Sequence, residues 1–493
     1  MSSRICEYDK ELLKDNMVDI NQLNTPSVSF EHNFTNLSII KEISKIAYPT
    51  ALFFFTIAFQ QTISLSFIGK KYNNPKIIDA MGISQLYINC FLLWVSMGLT
   101  TAMDTLCSNA YGAKKYYLMG LYLHRIRIIT YLITILLSIF HYFFAIKILK
   151  LFKLDPEVYD YIEEYIYYLI LYNLFDIQFS VNFRFLGILQ KNTPCIIIII
   201  ITTCLNPLWC YLFIDILDFG VKGAGMAISL SQLLNMVLSS IFVHVTNPLP
   251  EAYFCFNKDC IRGLGKVLKF SIPAAIMFCS EGWAFEVQAI FAIYLGALDY
   301  SVHIIAGNVS LLLYTTSLGF SIGTTITVGK YLTMTDTKNT KKVCFIALGF
   351  AFCNVAILSS LVILFHKYII EFYIKDEIIL EKAIPIIILV GISEFFDVVQ
   401  TNLAAIFRAF GKHIIASFTG IFQFYIFQSS MSYVYAYVFD FKVFGIWLSY
   451  TNGFILAIII YLLIIYFNFN IEKIKEEALE RLDIDNEQIK NFT

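Results

Sequence analysis

The sequence predicts an all-α integral membrane protein: twelve transmembrane helices in two six-helix lobes, related by a pseudo-two-fold axis along the membrane normal. Three observations carry this expectation. The chain of 493 residues is 58% hydrophobic and only 15% charged, against roughly 45–50% and 25% in soluble domains, and its mean hydropathy is +0.68. Apolar runs recur along it, each able to supply the ~20 residues of a spanning helix. Short stretches of the first half return in the second at a nearly constant separation.

In order, the runs cover 46–69, 78–103, 117–146, 161–187, 194–215, 224–245, 270–298, 302–328, 343–366, 379–407, 414–437 and 443–467. In lipid the backbone must satisfy its own hydrogen bonds, so each run is a helix; barrel strands would be short and alternating. Runs longer than a span imply tilt or extension into water. Residues 1–44 form a polar tail without the basic and apolar regions of a signal peptide. The N-lobe covers 45–246. A polar linker with Pro248 and Pro250 covers 247–263, the C-lobe 264–467, and a second tail 468–493. That tail sets Ile471, Ile474, Leu482 and Ile489 among charges, the pattern of an amphipathic helix in solvent or on a membrane surface. The tails and even-numbered loops hold most of the 36 Lys and Arg, which places both termini in the cytosol. Plasma membrane and vacuole-like membrane remain equal candidates.

The repeat rests on three ordered matches. "DFGVKG" at Asp218 returns as "DFKVFG" at Asp440, 222 residues on. "AYPTALFF" around Pro49 returns as "SIPAAIMF" around Pro273, and "FLGILQK" ending at Lys191 returns as "FRAFGK" ending at Lys412. Six spans per half is an even number, so both halves enter the membrane in the same sense, with a central site between them. Rocking of one half on the other is the motion expected of a secondary transporter.

Several functions are excluded. A net charge of −1 leaves no basic footprint for nucleic acid. No GxxxxGK[ST] stretch is present, so transport draws on an ion gradient. The eleven cysteines contain no CxxC pair, and Cys255 and Cys260 share a loop without histidine partners; neither metal nor cofactor is expected. A membrane-embedded acyl- or prenyltransferase would need a mid-membrane histidine or a DDxxD cluster. His141 and His303 lie near span ends and DDxxD is absent, so the chain is not read as an enzyme. The 16% aromatic content reads first as a biased codon usage and only second as a pocket for cations.

The candidate site is a set of acids in oil, each costing ~2.5–3.5 kcal/mol to insert. Glu281 and Glu286 lie in "CSEGWAFE" of the seventh run; Glu394, Asp397 and Gln400 lie in the tenth. Glu394 and Asp397 share a helical face, with Gln400 one turn on. Glu281 and Glu286 are about 140° apart around their helix, and Glu281, beside Ser280 and Gly282, is the cavity-facing acid. A carboxylate alternately protonated and bare binds H+ or an organic cation, not both well, which is the physical basis of antiport. The alternative is structural: a protonated Glu that hydrogen-bonds across helices. In the first half, Asp104 reads as a helix-end charge near water. Asp176 lies deeper and pairs with Arg184 two turns on. Mid-span charges are otherwise acidic, Arg127 and Arg184 being the main basic exceptions. Pro49, Pro207 and Pro273 fall within spans and permit kinks.

Several of these stretches resemble multidrug and toxic compound extrusion (MATE) transporters. "MDTLCSNAYGAKKYYLMGLYLHR" (103–125) resembles their second-helix signature, and "CSEGWAFEVQAIFAIYLGAL" (279–298) the seventh-helix ExWxFE signature of the eukaryotic branch. "FFDVVQTNLAAIFRAFGKH" (395–413) is similar to the tenth-helix pattern ending in RGxGxQ, and "FLGILQKNTP" to the LQxQ turn after the fourth helix. The resemblance covers residues 45–465. It implies a monomeric secondary antiporter that exports small organic compounds, cationic or drug-like, in exchange for H+ by alternating access. By the same resemblance Glu281 and Asp397 are the seventh- and tenth-helix acids, Glu286 the second acid of its signature, and Asn308 a polar member of the C-lobe site. Asn109 and Gln190 fall on N-lobe motif positions beside Asp104 and Asp176. Ser64 stands where prokaryotic members carry an Asp, which favours H+ over Na+. Asn109 replaces a usual Gln, Ala409 and Lys412 depart from RGxGxQ, and Gly282 replaces a frequent Trp. A flippase of lipid-linked headgroups, or a Na+-coupled exporter, is the alternative within the same architecture.

Overall fold

The computed structural model describes residues 35–72, 75–152, 156–254, 256–373, 377–468 and 470–490; most of the N-terminal tail, Cys255 and the last three residues lie outside them. Among the described residues twelve long helices follow in order. In the first half they are α1 (Asn36–Tyr72), α2 (Pro75–Ile88, continued through a π-helical turn Asn89–Leu93 into Trp94–Gly112), α3 (Tyr116–Leu149), α4 (Pro156–Ile188), α5 (Thr193–Cys210, then π-helical Tyr211–Ile216) and α6 (Gly220–Thr246). In the second they are α7 (Leu264–Tyr294), α8 (Ala297–Met334), α9 (Thr337–Leu364), α10 (Glu377–Ala409), α11 and α12 (Lys442–Asn468). Helix α11 runs from His413–Ile421 through two π-helical segments, Phe422–Gln428 and Val434–Val438. A further helix, α13 (Ile471–Lys490), follows.

Among the described residues, nine of these helices are long and apolar enough to cross a membrane by length and composition alone. The other three are α4, α10 and α11. Helix α4 is rich in tyrosine and buries Asp176 and Arg184; α10 buries Glu394, Asp397 and Arg408; α11 is broken by its π-turns. Polar residues are tolerated there because these helices face protein: α4 packs on α6, and α10 on α8, α9 and α12.

The repeat is written in the backbone. Asp218 and Asp440 both turn left-handed, at φ 51° and 56°, and so do Gly220 and Lys442, at 58° and 50°. The Phe219 amide donates to Phe213 O at 3.0 Å, and the Phe441 amide to Tyr435 O at 3.0 Å. Helices α6 and α12 therefore start from the same turn.

Helices α1–α6 pack as one lobe and α7–α12 as the other. The lobes meet where α1 lies against α8 and where α2 lies against α7 and α8. Backbones come close at these crossings. A β-carbon on Gly98 would sit 2.8 Å from Ala275 Cα, and one on Gly319 would sit 2.6 Å from Ala47 O. The lobes also meet at the face where α1 begins and α12 ends, hereafter the terminal face. There Thr105 Oγ1 donates to Arg408 O at 2.9 Å and Thr333 Oγ1 to Asn109 O at 2.8 Å.

Helix α13 is not a free surface helix, as its sequence suggested. Ile471, Ile474, Ala478 and Leu482 are buried on one face, and the polar face is bonded to both lobes. Asp485 accepts from the Tyr122 hydroxyl of the first lobe at 2.6 Å and from Lys266 Nζ of the second at 3.1 Å. Lys115 pairs with Asp483, Lys412 with Glu477 at 2.6 Å, and Lys475 Nζ donates to Thr335 O at 2.6 Å.

Candidate functional site

The second lobe encloses a carboxylate cluster built from three helices. On α10, Glu394, Asp397 and Thr401 stand three and four residues apart and share one face. Gln400 Nε2 and Thr401 Oγ1 both donate to Asp397 Oδ1, at 3.1 and 3.3 Å. From α8, Ser310 Oγ donates to Glu394 Oε1 at 3.2 Å. From α7, Glu281 approaches, only 8% exposed, with Asp397, Arg408 and Tyr314 around it. Glu394 Oε2 and Asp397 Oδ2 are buried without a hydrogen-bond partner. Among the described residues none of the three acids is in an ion pair.

A buried carboxylate without a cation is unfavourable unless a proton or a cation joins it. The adjoining cavity, lined among others by Met277, Glu281, Gln400, Thr401, Arg408 and Tyr461, measures ≈ 10 Å³, room for one water molecule at most. In this conformation the cluster has space for protons and not for an organic molecule.

Glu286 points elsewhere. It is half-buried and lies near Cys90 of α2, Tyr300 of α8 and Tyr450 of α12. Asn308 is exposed on α8. Ser310 contacts the cluster instead, because two residues along a helix turn the side chain to the far side.

The first lobe corrects one pairing. Arg184 does not pair with Asp176; it pairs with Asp104 of α2, and both side chains are buried. Asp104, expected near water, is 2% exposed. Asp176 instead accepts from Gln232 Nε2 at 2.6 Å and Ser180 Oγ at 3.2 Å. The network continues through Asn235 to Thr202. Ser64 lies in a neutral group, 3.5 Å from Asn206 Oδ1 and 3.4 Å from Cys210 Sγ. Asn109 is fully buried at the lobe contact; with its amide oriented to satisfy both neighbours, it donates to Gly329 O at 2.8 Å and accepts from Arg481 Nη2 at 2.9 Å. Gln190 is a half-buried turn residue at φ 57°, closing the end of α4.

One residue escaped sequence reasoning. Arg408, counted with the loop after the tenth run, is 8% exposed within the second lobe. The "FRF" of 183–185 and "FRA" of 407–409 held the signal, an arginine near the end of each fourth helix.

Comparison with known proteins places this geometry. A family model described as MatE matches residues 49–212 and again 273–434. The chain belongs to the MatE family. The double match is the repeat itself, one copy per lobe. Among MatE relatives, Protein DETOXIFICATION 17 of Arabidopsis thaliana is 25% identical over 466 residues, covering 93% of this chain and 96% of the relative. Multidrug and toxin extrusion protein 1 of Homo sapiens is 22% identical over 406 residues, covering 81% of this chain and 69% of the relative. The crystal structure of the eukaryotic MATE transporter AtDTX14 superposes with a TM-score of 0.83 at 21% identity, covering 90% of this chain and 99% of that one. As a MatE protein the chain is an efflux-type membrane transporter and not an enzyme.

Proposed function

We propose that this MatE protein is an H+-coupled antiporter that exports small organic cations by alternating access, with Glu281 and Asp397 as the coupling acids. The observation that carries the reading is the meeting of Glu281, Glu394 and Asp397 from two helices in the second lobe, with no ion-pair partner among the described residues. Like charges at close quarters cannot all ionise together, so the cluster holds a proton in one state and a cation in another. Glu394, Gln400 and Thr401 set the geometry of Asp397, and Glu286 serves the outer approach. The neutral Ser64 group supports H+ over Na+, because hard cations want several oxygen ligands with charge. In this reading lobes 45–246 and 264–467 rock about the linker 247–263, both termini are cytosolic, the terminal face is the inner mouth, and the unit is a monomer in a plasma or vacuole-like membrane.

The test is efflux of a fluorescent organic cation from proteoliposomes under an imposed pH gradient, with wild type beside Glu281→Gln and Asp397→Asn. Movement driven by the gradient and lost in both folded variants is the expected result. Transport that ignores the pH gradient, follows Na+, or survives both changes overturns the reading.

A further inference from the structure

Each lobe buries one arginine near the terminal end of its fourth helix, Arg184 on α4 and Arg408 on α10. Arg184 is neutralised inside its own lobe by Asp104. Among the described residues Arg408 is held by neutral groups: Ser321 Oγ on Nη2, Thr325 Oγ1 on Nε at 3.4 Å, and Met277 Sδ on Nη1 at 3.7 Å. Among the described residues no carboxylate lies within 4.0 Å of it. A guanidinium taken out of water demands a counter-ion.

Two carboxylates are within its electrostatic reach. Glu281 lines the same one-water cavity. Asp104 lies across the lobe contact; its Oδ2 receives Arg184, while its Oδ1 is buried and unpartnered. The two sites are already in register, since Thr105, the next residue, donates to the Arg408 carbonyl at 2.9 Å. The other titratable groups facing Glu281 are Asp397 and Glu394 of α10, Tyr314 of α8 and Tyr461 of α12. Helix α11 brings the neutral Gln423, and α2 presents Trp94 to the residue beside it. Among the described residues Arg408 is thus the one cation beside this cluster, and a long side chain reorients without moving its backbone.

We propose that Arg408 is a mobile countercharge: its guanidinium pairs with Glu281 when that carboxylate is bare, and with the open oxygen of Asp104 when Glu281 holds a proton or an organic cation. Occupancy of the second lobe is thereby transmitted to the contact between lobes at the terminal face. No bond is made or broken; one positive charge changes partner. Arg408 is a positioning residue, acting on the lobe contact through Asp104. The inference rests on the reading of Glu281 as a coupling acid.

A double-mutant cycle followed by hydrogen–deuterium exchange tests it without any substrate. The full chain in lipid nanodiscs is compared at about pH 9, where a wild-type carboxylate is most fully bare. Glu281→Gln stands in for the occupied acid. It is expected to slow amide exchange at 105–112 by about fivefold, the lower end of typical coupling between sites. In Glu281→Gln/Arg408→Gln the slowing should vanish, and in Glu281→Gln/Arg408→Lys it should return in part. Thermal unfolding confirms that each variant is folded, and the Arg408→Lys pair keeps the test open if Arg408→Gln is not. Slowing that persists without a cation at 408, or no slowing in Glu281→Gln, overturns the inference. Undiminished transport by Glu281→Gln would instead remove the reading beneath it, so the two failures are distinct.

Discussion

The indole of Trp94 on α2 covers Gly282 on α7 so closely that a β-carbon at 282 would lie 2.7 Å from two of its ring atoms. Trp283, the next residue, donates its indole Nε1 to Cys90 O at 2.8 Å. The space beside Gly282 is thus filled from the other lobe. Gly282→Ala should therefore destabilise this packing by roughly 1–3 kcal/mol, the usual cost of an extra methyl in a filled site. Thermal unfolding in detergent checks it, and an unchanged midpoint would mean that the lobes do not meet here.

The Arg184–Asp104 pair is buried on both sides. Removing one partner strands the other charge, at about 3–5 kcal/mol. Arg184→Met alone and Asp104→Leu alone should each lower the folded yield sharply. The double variant should recover most of it, as measured by size-exclusion of the purified protein. Equal losses in single and double variants would refute the pairing.

Lys442 occupies the left-handed turn that its repeat partner fills with Gly220. A side chain there costs about 1–2 kcal/mol of backbone strain. Lys442→Gly should stabilise by about 0.5–1 kcal/mol once the entropy of glycine is subtracted, and Gly220→Ala should destabilise. Melting curves of the two variants must move in opposite directions.

Glu394 and Asp397 share a helical face but differ in surroundings. Glu394 takes one hydrogen bond, from Ser310, whereas Asp397 takes two, from Gln400 and Thr401. Glu394→Gln should retain transport within about tenfold of wild type, while Asp397→Asn should lose about 100-fold or more, in line with the functional weight of intramembrane acids. Initial efflux rates decide; equal losses would place both acids in one role.

Much of this was legible in the sequence, and the limits have physical causes. Apolar length gave the number of helices, and "DFGVKG" with "DFKVFG" gave the lobes, because a left-handed turn leaves a local mark in sequence. Glu281 and Asp397 stood out because an acid in oil is rare. Partners were not legible. Asp176 and Arg184 are eight residues apart on one helix, yet Arg184 bonds to α2, and only packing decides which neighbour presents the acid. Arg408 was hidden by position, since a charge near a helix end is normally in a loop. Helix α13 misled for the same reason: an amphipathic pattern states that one face is covered, not by what.

The bonds of α13 are shared evenly between the lobes. Lys412, Lys475 and Lys266 tie it to the second lobe, while Lys115, Tyr122 and Asn109 tie it to the first. If the terminal face is to part, one of the two sets must yield. Contacts of this kind are worth about 0.2–1 kcal/mol each, so three of them favour the closed face by a factor of roughly 3–150. Helix α13 is thus a latch across this face, fastened on both sides in this conformation.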